Sequence, residues 1–298
     1  MLPHVYPALG AADEAGKGRS GRMSQDGFAA GAEDTDEISP FDTSVARQAR
    51  IYNYLLGGKD NFAADREAAT QAIAAFPGLI AWARNNRAFL ARSVRYLVSE
   101  AGVRQFLDIG TGLPTEENTH EVAQRIAPES RIVYVDNDPV VLVHARALLT
   151  SSPEGATAYI KADLREPETI VKAAADTLDF SRPVALMLLA ILHVIPSADD
   201  PWQVVARIMH ALPSGSYLVI SHPASDIHAV QIAEMTKRFN QRLGNVVSAG
   251  RTREEVARFF TGLDLVDPGI VSAPQWRPTA PPSGPADDPT YAALGRKP

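Results

Sequence analysis

The sequence predicts an α/β fold, a doubly wound parallel sheet preceded by a helical N-terminal segment. Three observations carry that reading. Between positions 104 and 221, apolar runs of strand length alternate with stretches of helical period, which is how a parallel sheet with helices on both faces reads. The first run, Phe106-Leu107-Asp108-Ile109, ends in Gly110-Thr111-Gly112, and the second, Arg131-Ile132-Val133-Tyr134-Val135, ends in Asp136-Asn137-Asp138. With 298 residues, 45% of them hydrophobic, the chain can bury one large core.

The elements follow in order. A helix is predicted over 44–56 on apolar Val45, Ile51 and Leu55, closed by Gly57-Gly58. A second, over 66–75, is stopped by Pro77-Gly78. A long helix over 79–101 carries one stripe, Trp82, Phe89, Leu90, Val94, Leu97 and Val98, and ends at Gly102. Strands over 104–109, 131–135, 156–160, 184–190 and 216–221 then alternate with helices over 115–126, 139–149, 167–176 and 200–212, the last opened by Asp200-Pro201. In the tail, a helix runs over 227–243 to Gly244. Thr252 to Glu255 form a capping box opening a helix that ends at Gly262. A strand over 263–266, a Pro-rich loop over 268–289 and a last strand over 290–295 close the chain. No internal repeat is visible. The expected division is a disordered tail over 1–38, a helical cover over 39–102 and a binding domain over 103–298, because the stretch from Gly10 to Pro40 has little to bury.

Composition narrows the function. A net charge of −6 and a pI near 5.7 argue against a general nucleic-acid binder, whose footprint is basic. Without cysteine there is no disulfide, thiolate metal site or cysteine nucleophile, and the chain reads as cytoplasmic. The longest apolar run, Val184 to Leu192, falls far short of the ~20 residues that span a bilayer. No signal peptide is expected, and Met23 is a plausible alternative start.

A glycine turn after the first strand and a carboxylate after the second is how an open parallel sheet holds a nucleoside. A dinucleotide wants a third glycine; here that position is Thr115, after Pro114. Glu116 and Glu117 follow, read as the first turn of a helix, where carboxylates suit the dipole and repel a pyrophosphate. The expected ligand is a nucleoside with a cationic or zwitterionic tail, of which S-adenosylmethionine is the common one. Asp108 fits the same idea by facing an ammonium.

These residues, with Ala162-Asp163-Leu164 after the third strand, resemble the class I S-adenosylmethionine-dependent methyltransferases. Arg50 to Phe62, with Asp65-Arg66, Asn86 to Leu90 and Pro268-Gly269 to Trp276-Arg277-Pro278, resemble a narrower bacterial branch, the S-adenosyl methyltransferase family once classed as a domain of unknown function. The resemblance covers about positions 40–298. It implies a Rossmann-like sheet of seven strands, the last antiparallel, and S-adenosyl-L-methionine as cofactor.

Each candidate site residue has a plainer alternative. Gly110, Thr111 and Gly112 either cradle the cofactor or merely turn the chain. Asp136 is assigned to the ribose hydroxyls, with Asn137 beside it, and Asp138 to capping the next helix. The resemblance places Asp163 at the adenine amino group, the alternative being a helix cap, and sets Leu164 and Ile109 about the adenine. Tyr52 and its neighbours from Asn53 to Phe62 read as a cover over the methionine end, where aromatic faces attract a sulfonium; the alternative is a packed helix corner. Asn86 is expected to reach the cofactor carboxylate, while Arg84, Arg87 and Arg95 form a solvated face.

Ala190 and His193 end the fourth strand, where class I enzymes place residues beside the transferring methyl. His193 is the candidate catalytic base, half neutral near its ordinary pKa of ~6.5, or else a packing histidine. His222 and Asp226 form a second candidate pair. No metal site is expected. The reading is methyl transfer to O or N of a small-molecule acceptor, without nucleic acid or membrane. The rivals are a regulatory protein that binds S-adenosylmethionine without turnover and an NAD(P)-dependent oxidoreductase.

Overall fold

A computed structural model describes residues 42–148, 150–242, 248–279 and 288–298. The expected tail over 1–38, Met23 and the helix end at Gly244 lie outside the described residues. Helices α1 (Gln48–Leu55), α2 (Ala63–Ala75) and α3 (Leu79–Ser99) come first. Then β1 (Gln105–Ile109), α4 (Thr119–Ile126), β2 (Arg131–Asp136), α5 (Pro139–Leu148), β3 (Ala156–Lys161), α6 (Pro167–Ala174), β4 (Ala185–Leu189), α7 (Pro201–Ala211) and β5 (Tyr217–Pro223) alternate as expected. The tail adds α8 (Ala229–Arg242), α9 (Arg253–Ala257), β6 (Asp264–Leu265), β7 (Val271–Ser272) and β8 (Thr290–Arg296).

Among the described residues the sheet has eight strands in the order β3-β2-β1-β4-β5-β8-β6, with β7 also paired to β8. β1 to β5 are parallel, and β8 lies antiparallel to β5, with Ser221 opposite Ala292 and His222 opposite Tyr291. β1 has β2 on one side and β4 on the other, so the strand order reverses there. The crevice beyond the carboxyl ends of β1 and β4 is where such a sheet binds ligands.

The strands read as unbroken apolar runs because both faces are covered. Alternate residues divide between two cores. Leu107, Ile109, Val133, Val135, Leu186 and Leu188 face one. Phe106, Ile132, Tyr134, Ala185 and Met187 face the other, which Trp276 completes by meeting Phe89 edge-on at 5.4 Å. A third cluster joins Ile51 and Leu55 of α1, Ala68, Ala69 and Ala72 of α2, Leu79 and Ala83 of α3, and Met235 and Phe239 of α8. This N-terminal cluster is therefore completed by a helix from far down the chain. α3, with 21 residues and about 30 Å long, begins in this cluster and ends against the sheet.

Several boundaries differ from expectation. α4 starts at Thr119, not 115: the Asn118 backbone N–H donates to Glu121 at 2.9 Å, a cap that outcompetes Thr115, while Glu117 takes a left-handed φ of 57° in the turn before it. Glu116 and Glu117 thus precede the helix. The helix expected to reach Gly262 is α-helical only to Ala257 and continues as a 3-10 turn over Arg258–Phe260. The loop expected over 268–289 contains β7, so the sheet gains a strand beyond the seven expected. No described helix is long and apolar enough to cross a membrane.

Candidate functional site

The carboxyl ends of β1, β2, β4 and β5 lie on one edge of the sheet, and most of the expected residues stand at or just beyond them. Asp108 is buried near the end of β1, and one carboxylate oxygen accepts the Thr119 hydroxyl at 2.6 Å. Burial pushes its pKa up to about 6, against the pull of that hydrogen bond and of the Arg87 charge; nearby Asp136 adds to the rise. No cation pairs with Asp108 among the described residues.

Asp136 ends β2. Its two carboxylate oxygens accept the Gly112 N–H at 3.0 Å and the Asp138 N–H at 2.9 Å, leaving each oxygen room for a second donor. Burial raises its pKa, and these backbone hydrogen bonds oppose the rise. Asp138 accepts the Val140 N–H at 2.8 Å, the capping role expected of it. Asn137 is exposed and Thr111 half-buried in the adjoining turns.

The two glycines differ. Both have positive φ, 76° at Gly110 and 65° at Gly112. A Cβ at Gly110 would meet the Ile191 side chain at 2.4 Å, so this glycine lets the loop after β4 close onto the turn. A Cβ on Gly112 would meet nothing within 4 Å, and open space beside a backbone N–H is what a close ligand needs.

Asp163 accepts the Arg165 N–H at 2.9 Å, closing a turn two residues before α6 rather than capping that helix. Leu164 and Ile109 are both buried in the core on one face of the sheet.

A hydrogen-bond chain joins the cover to the sheet. The Tyr52 hydroxyl donates to the Ala83 carbonyl at 3.1 Å and accepts from the Asn86 amide at 2.8 Å. The Ser221 hydroxyl donates to the Asn86 side-chain oxygen at 2.5 Å and accepts the Ala190 N–H at 3.0 Å. Ala190 sits at φ 50°, which an L-residue holds only under such constraint. Other residues of the N-terminal signature bond to one another. Asn53 accepts from the Asp60 backbone and the Asn61 amide, both at 3.0 Å, and Asp65 accepts from Arg47, Arg50 and Phe62. Those groups build a helix corner; Tyr52 is the member that reaches Asn86.

His193 is buried, with Nε2 hydrogen-bonded to the Gln48 amide of α1 and Nδ1 without a partner. Burial first, and then the Arg251 charge, lower its pKa to about 4. The expectation of a half-protonated histidine near neutrality is overturned: at pH 7 the ring is neutral and a weak base. The pair expected of His222 and Asp226 does not form. His222 lies inside β5, with Nδ1 on the Pro223 carbonyl at 2.9 Å and Nε2 toward Arg251 at 2.7 Å. Asp226 instead accepts from the Tyr291 hydroxyl at 2.9 Å and the Arg253 N–H at 3.1 Å.

The expected solvated arginine face holds for Arg84, which is exposed, but not for its neighbours on α3. Arg87 donates to the carbonyls of Glu116 and Glu117, each at 2.9 Å, and Arg95 pairs with the Glu117 carboxylate at 2.8 Å. Glu117 is thereby partly neutralised, which weakens the electrostatic argument against a pyrophosphate. Sequence reasoning missed Thr119, Ser221, Gln48 and Arg251; a serine inside an otherwise apolar strand was the available signal for Ser221. No group of three or more metal-ligating side chains occurs among the described residues.

A family model described as S-adenosyl methyltransferase matches residues 34–298. The structure is similar to that of a DUF574 family protein from Streptomyces avermitilis MA-4680, with TM-score 0.83 and 45% identity over 86% of this chain and 99% of that one. It is also similar to a protein from Thermobifida fusca YX, named a candidate methyltransferase, with TM-score 0.79 and 43% identity over 86% and 96%. None of the curated proteins matches the chain.

Proposed function

This chain belongs to the S-adenosyl methyltransferase family, and from that premise we propose that it methylates an oxygen or nitrogen of a small-molecule acceptor. It is an S-adenosylmethionine-dependent methyltransferase of the class I fold, with S-adenosyl-L-methionine as cofactor.

The residues present fit that cofactor. Asp108, a buried carboxylate without a cationic partner, carries the assignment: an ammonium at this point supplies the missing charge. Asp136 has acceptor capacity left for ribose hydroxyls, and the open side of Gly112 admits the nucleoside. Asp163 and Leu164, beyond β3, are assigned to the adenine. Tyr52, Asn86 and Ala190, with Thr111 and Asn137 in the turns, frame the rest. The segment over 39–102 acts as cover together with α8.

When bound, S-adenosylmethionine supplies a methyl on sulfur, an activated leaving group. What the chain contributes is mainly orientation of the acceptor and exclusion of water. His193 takes the Gln48 amide at Nε2, so its unpartnered Nδ1 carries the proton; that atom is buried, and it donates to the acceptor once the neighbouring loop or α1 shifts to admit one. A small acceptor is supported by the acidic balance of the chain, a net charge of −6, which disfavours a nucleic-acid substrate.

Calorimetric titration with S-adenosylmethionine, S-adenosylhomocysteine and NADH tests the site; binding of the first two alone is expected. Mass spectrometry of metabolite, protein and nucleic-acid fractions incubated with enzyme and labelled cofactor then tests the acceptor. Label appearing only in protein or nucleic acid refutes the small-molecule reading.

A further inference from the structure

Arg251 is 1% exposed, yet no carboxylate lies within ion-pair distance among the described residues. Burying a charge this way is unfavourable unless its hydrogen-bond geometry is well matched. One terminal nitrogen donates to the Leu192 carbonyl at 2.9 Å and to His222 Nε2 at 2.7 Å; the other donates to the Ile195 carbonyl at 2.7 Å. The guanidinium lies 5.3 Å from the Trp202 ring and 5.7 Å from that of Phe259. An apolar side chain would fill this volume without desolvation; what arginine adds is a planar set of donors spanning both ends of one short loop.

That loop follows β4. It carries Ile191, which fills the space over Gly110, and His193, whose carbonyl accepts the Ala249 N–H at 2.9 Å. The Arg251 backbone is tied to the end of β5 as well: its N–H donates to Pro223 and its carbonyl accepts from Ser225, both at 3.0 Å.

We infer that Arg251 is a positioning residue for methyl transfer: fixed on Leu192, Ile195 and His222, it holds Ile191 against the glycine turn and His193 against Gln48 of the cover. It touches neither cofactor nor acceptor in this scheme. Its action is to keep the loop in one arrangement, so that the floor of the cofactor site and the side chain facing the acceptor are set together.

The inference rests on the cofactor lying at the glycine turn, which S-adenosylhomocysteine binding to the unaltered protein tests separately. Given that binding, Arg251→Met and Arg251→Lys are compared in the full chain, since lysine keeps the charge but cannot span two carbonyls. With native circular dichroism, both are expected to bind S-adenosylhomocysteine about tenfold more weakly, the scale of one lost charged hydrogen bond. NMR should show the His193 ring signals displaced and its titration, near pH 4 in the parent, moved upward in Arg251→Met. Lost thermal stability alone, with unchanged affinity and an unchanged His193 titration, overturns the inference. If neither variant folds, the unaltered protein decides: resolved, slowly exchanging Arg251 terminal N–H signals that shift on S-adenosylhomocysteine addition support it, and averaged, unshifted signals overturn it.

Discussion

Replacing Asp108 by Asn separates stability from binding at one atom. The folded pKa of about 6 stands against an ordinary value of 3.8. Between those values the native protein holds a proton that the unfolded chain has released. Stability therefore falls as pH rises through that window and stays lower above it. The interval corresponds to about 3 kcal/mol. An amide keeps the acceptor for the Thr119 hydroxyl and removes the buried charge, though its NH2 group then needs a partner, which returns ~1–2 kcal/mol. The apo Asp108→Asn protein should thus be ~1–2 kcal/mol more stable than the parent at pH 8, a rise of several degrees in melting temperature. The gain should shrink toward pH 4. The same change should weaken S-adenosylhomocysteine binding by ~10- to 100-fold, because a carboxylate–ammonium contact of ~1.5–3 kcal/mol is lost. Thermal melts at pH 5, 6.5 and 8 with calorimetric titration measure both. A variant less stable than the parent at pH 8, or one that binds unchanged, refutes the assignment of an uncompensated carboxylate facing an ammonium.

Asp136→Ala should weaken cofactor binding more than about tenfold if the ribose hydroxyls meet this carboxylate, and unchanged calorimetric affinity removes that role. Asp65→Ala should destabilise the fold by ~3 kcal/mol or more in denaturant titration, because Arg50 is left buried without its carboxylate; adding Arg50→Met should recover part of the loss. His193 must charge on unfolding in acid, so its contribution is intact above pH 6.5 and is lost as pH falls toward about 4, worth about 3 kcal/mol at the end. His193→Gln should flatten the acid limb of stability measured between pH 7 and 4; an unchanged limb contradicts the buried neutral ring.

Where structure is set by near neighbours, the residues announced it. The alternation of strands and helices, the glycine turn and the carboxylates Asp108 and Asp136 are local patterns, and they stand where the pattern put them. The start of α4 was obscured by a competing local signal: Thr115-Glu116-Glu117 reads as a first turn, although Asn118 with Glu121 is the cap that forms. β7 is two residues long, flanked by Pro268 and Pro274, and its partner Tyr291-Ala292 lies about twenty residues on, so no window holds the pair. His222 and Asp226 are four apart and invited pairing. β5 runs on to Pro223, which keeps His222 inside the sheet while Asp226 turns to Tyr291. The docking of α8 on α2, the Gln48–His193 contact and the Arg251 clamp join residues far apart in sequence, and nothing near any of them encodes the meeting.

Polar groups at the two ends of the sheet are treated differently, and the difference bears on function. At the amino end, buried Gln105 exchanges hydrogen bonds with the backbone of Asp179 at 2.8 and 2.7 Å, Ser130 donates to Ala127 at 2.8 Å, and Ser216 accepts from Val184 at 3.1 Å. Those groups are satisfied within the protein and contribute to folding alone. At the carboxyl end, Asp108 has no cation, Asp136 keeps unused acceptor capacity, His193 Nδ1 is orphaned and Arg251 is buried without a carboxylate. Buried groups left without a countercharge or a partner each destabilise the native state. Asp108, Asp136 and His193 bring such unmet capacity to the crevice where the strand order reverses, the place proposed for the ligands. A ligand with an ammonium and vicinal hydroxyls relieves the part borne by Asp108 and Asp136, and an acceptor beside His193 relieves another. Cofactor affinity, and with it the stabilisation that mass action gives the fold, should therefore be greater at pH 8 than at pH 5, where Asp108 is already protonated.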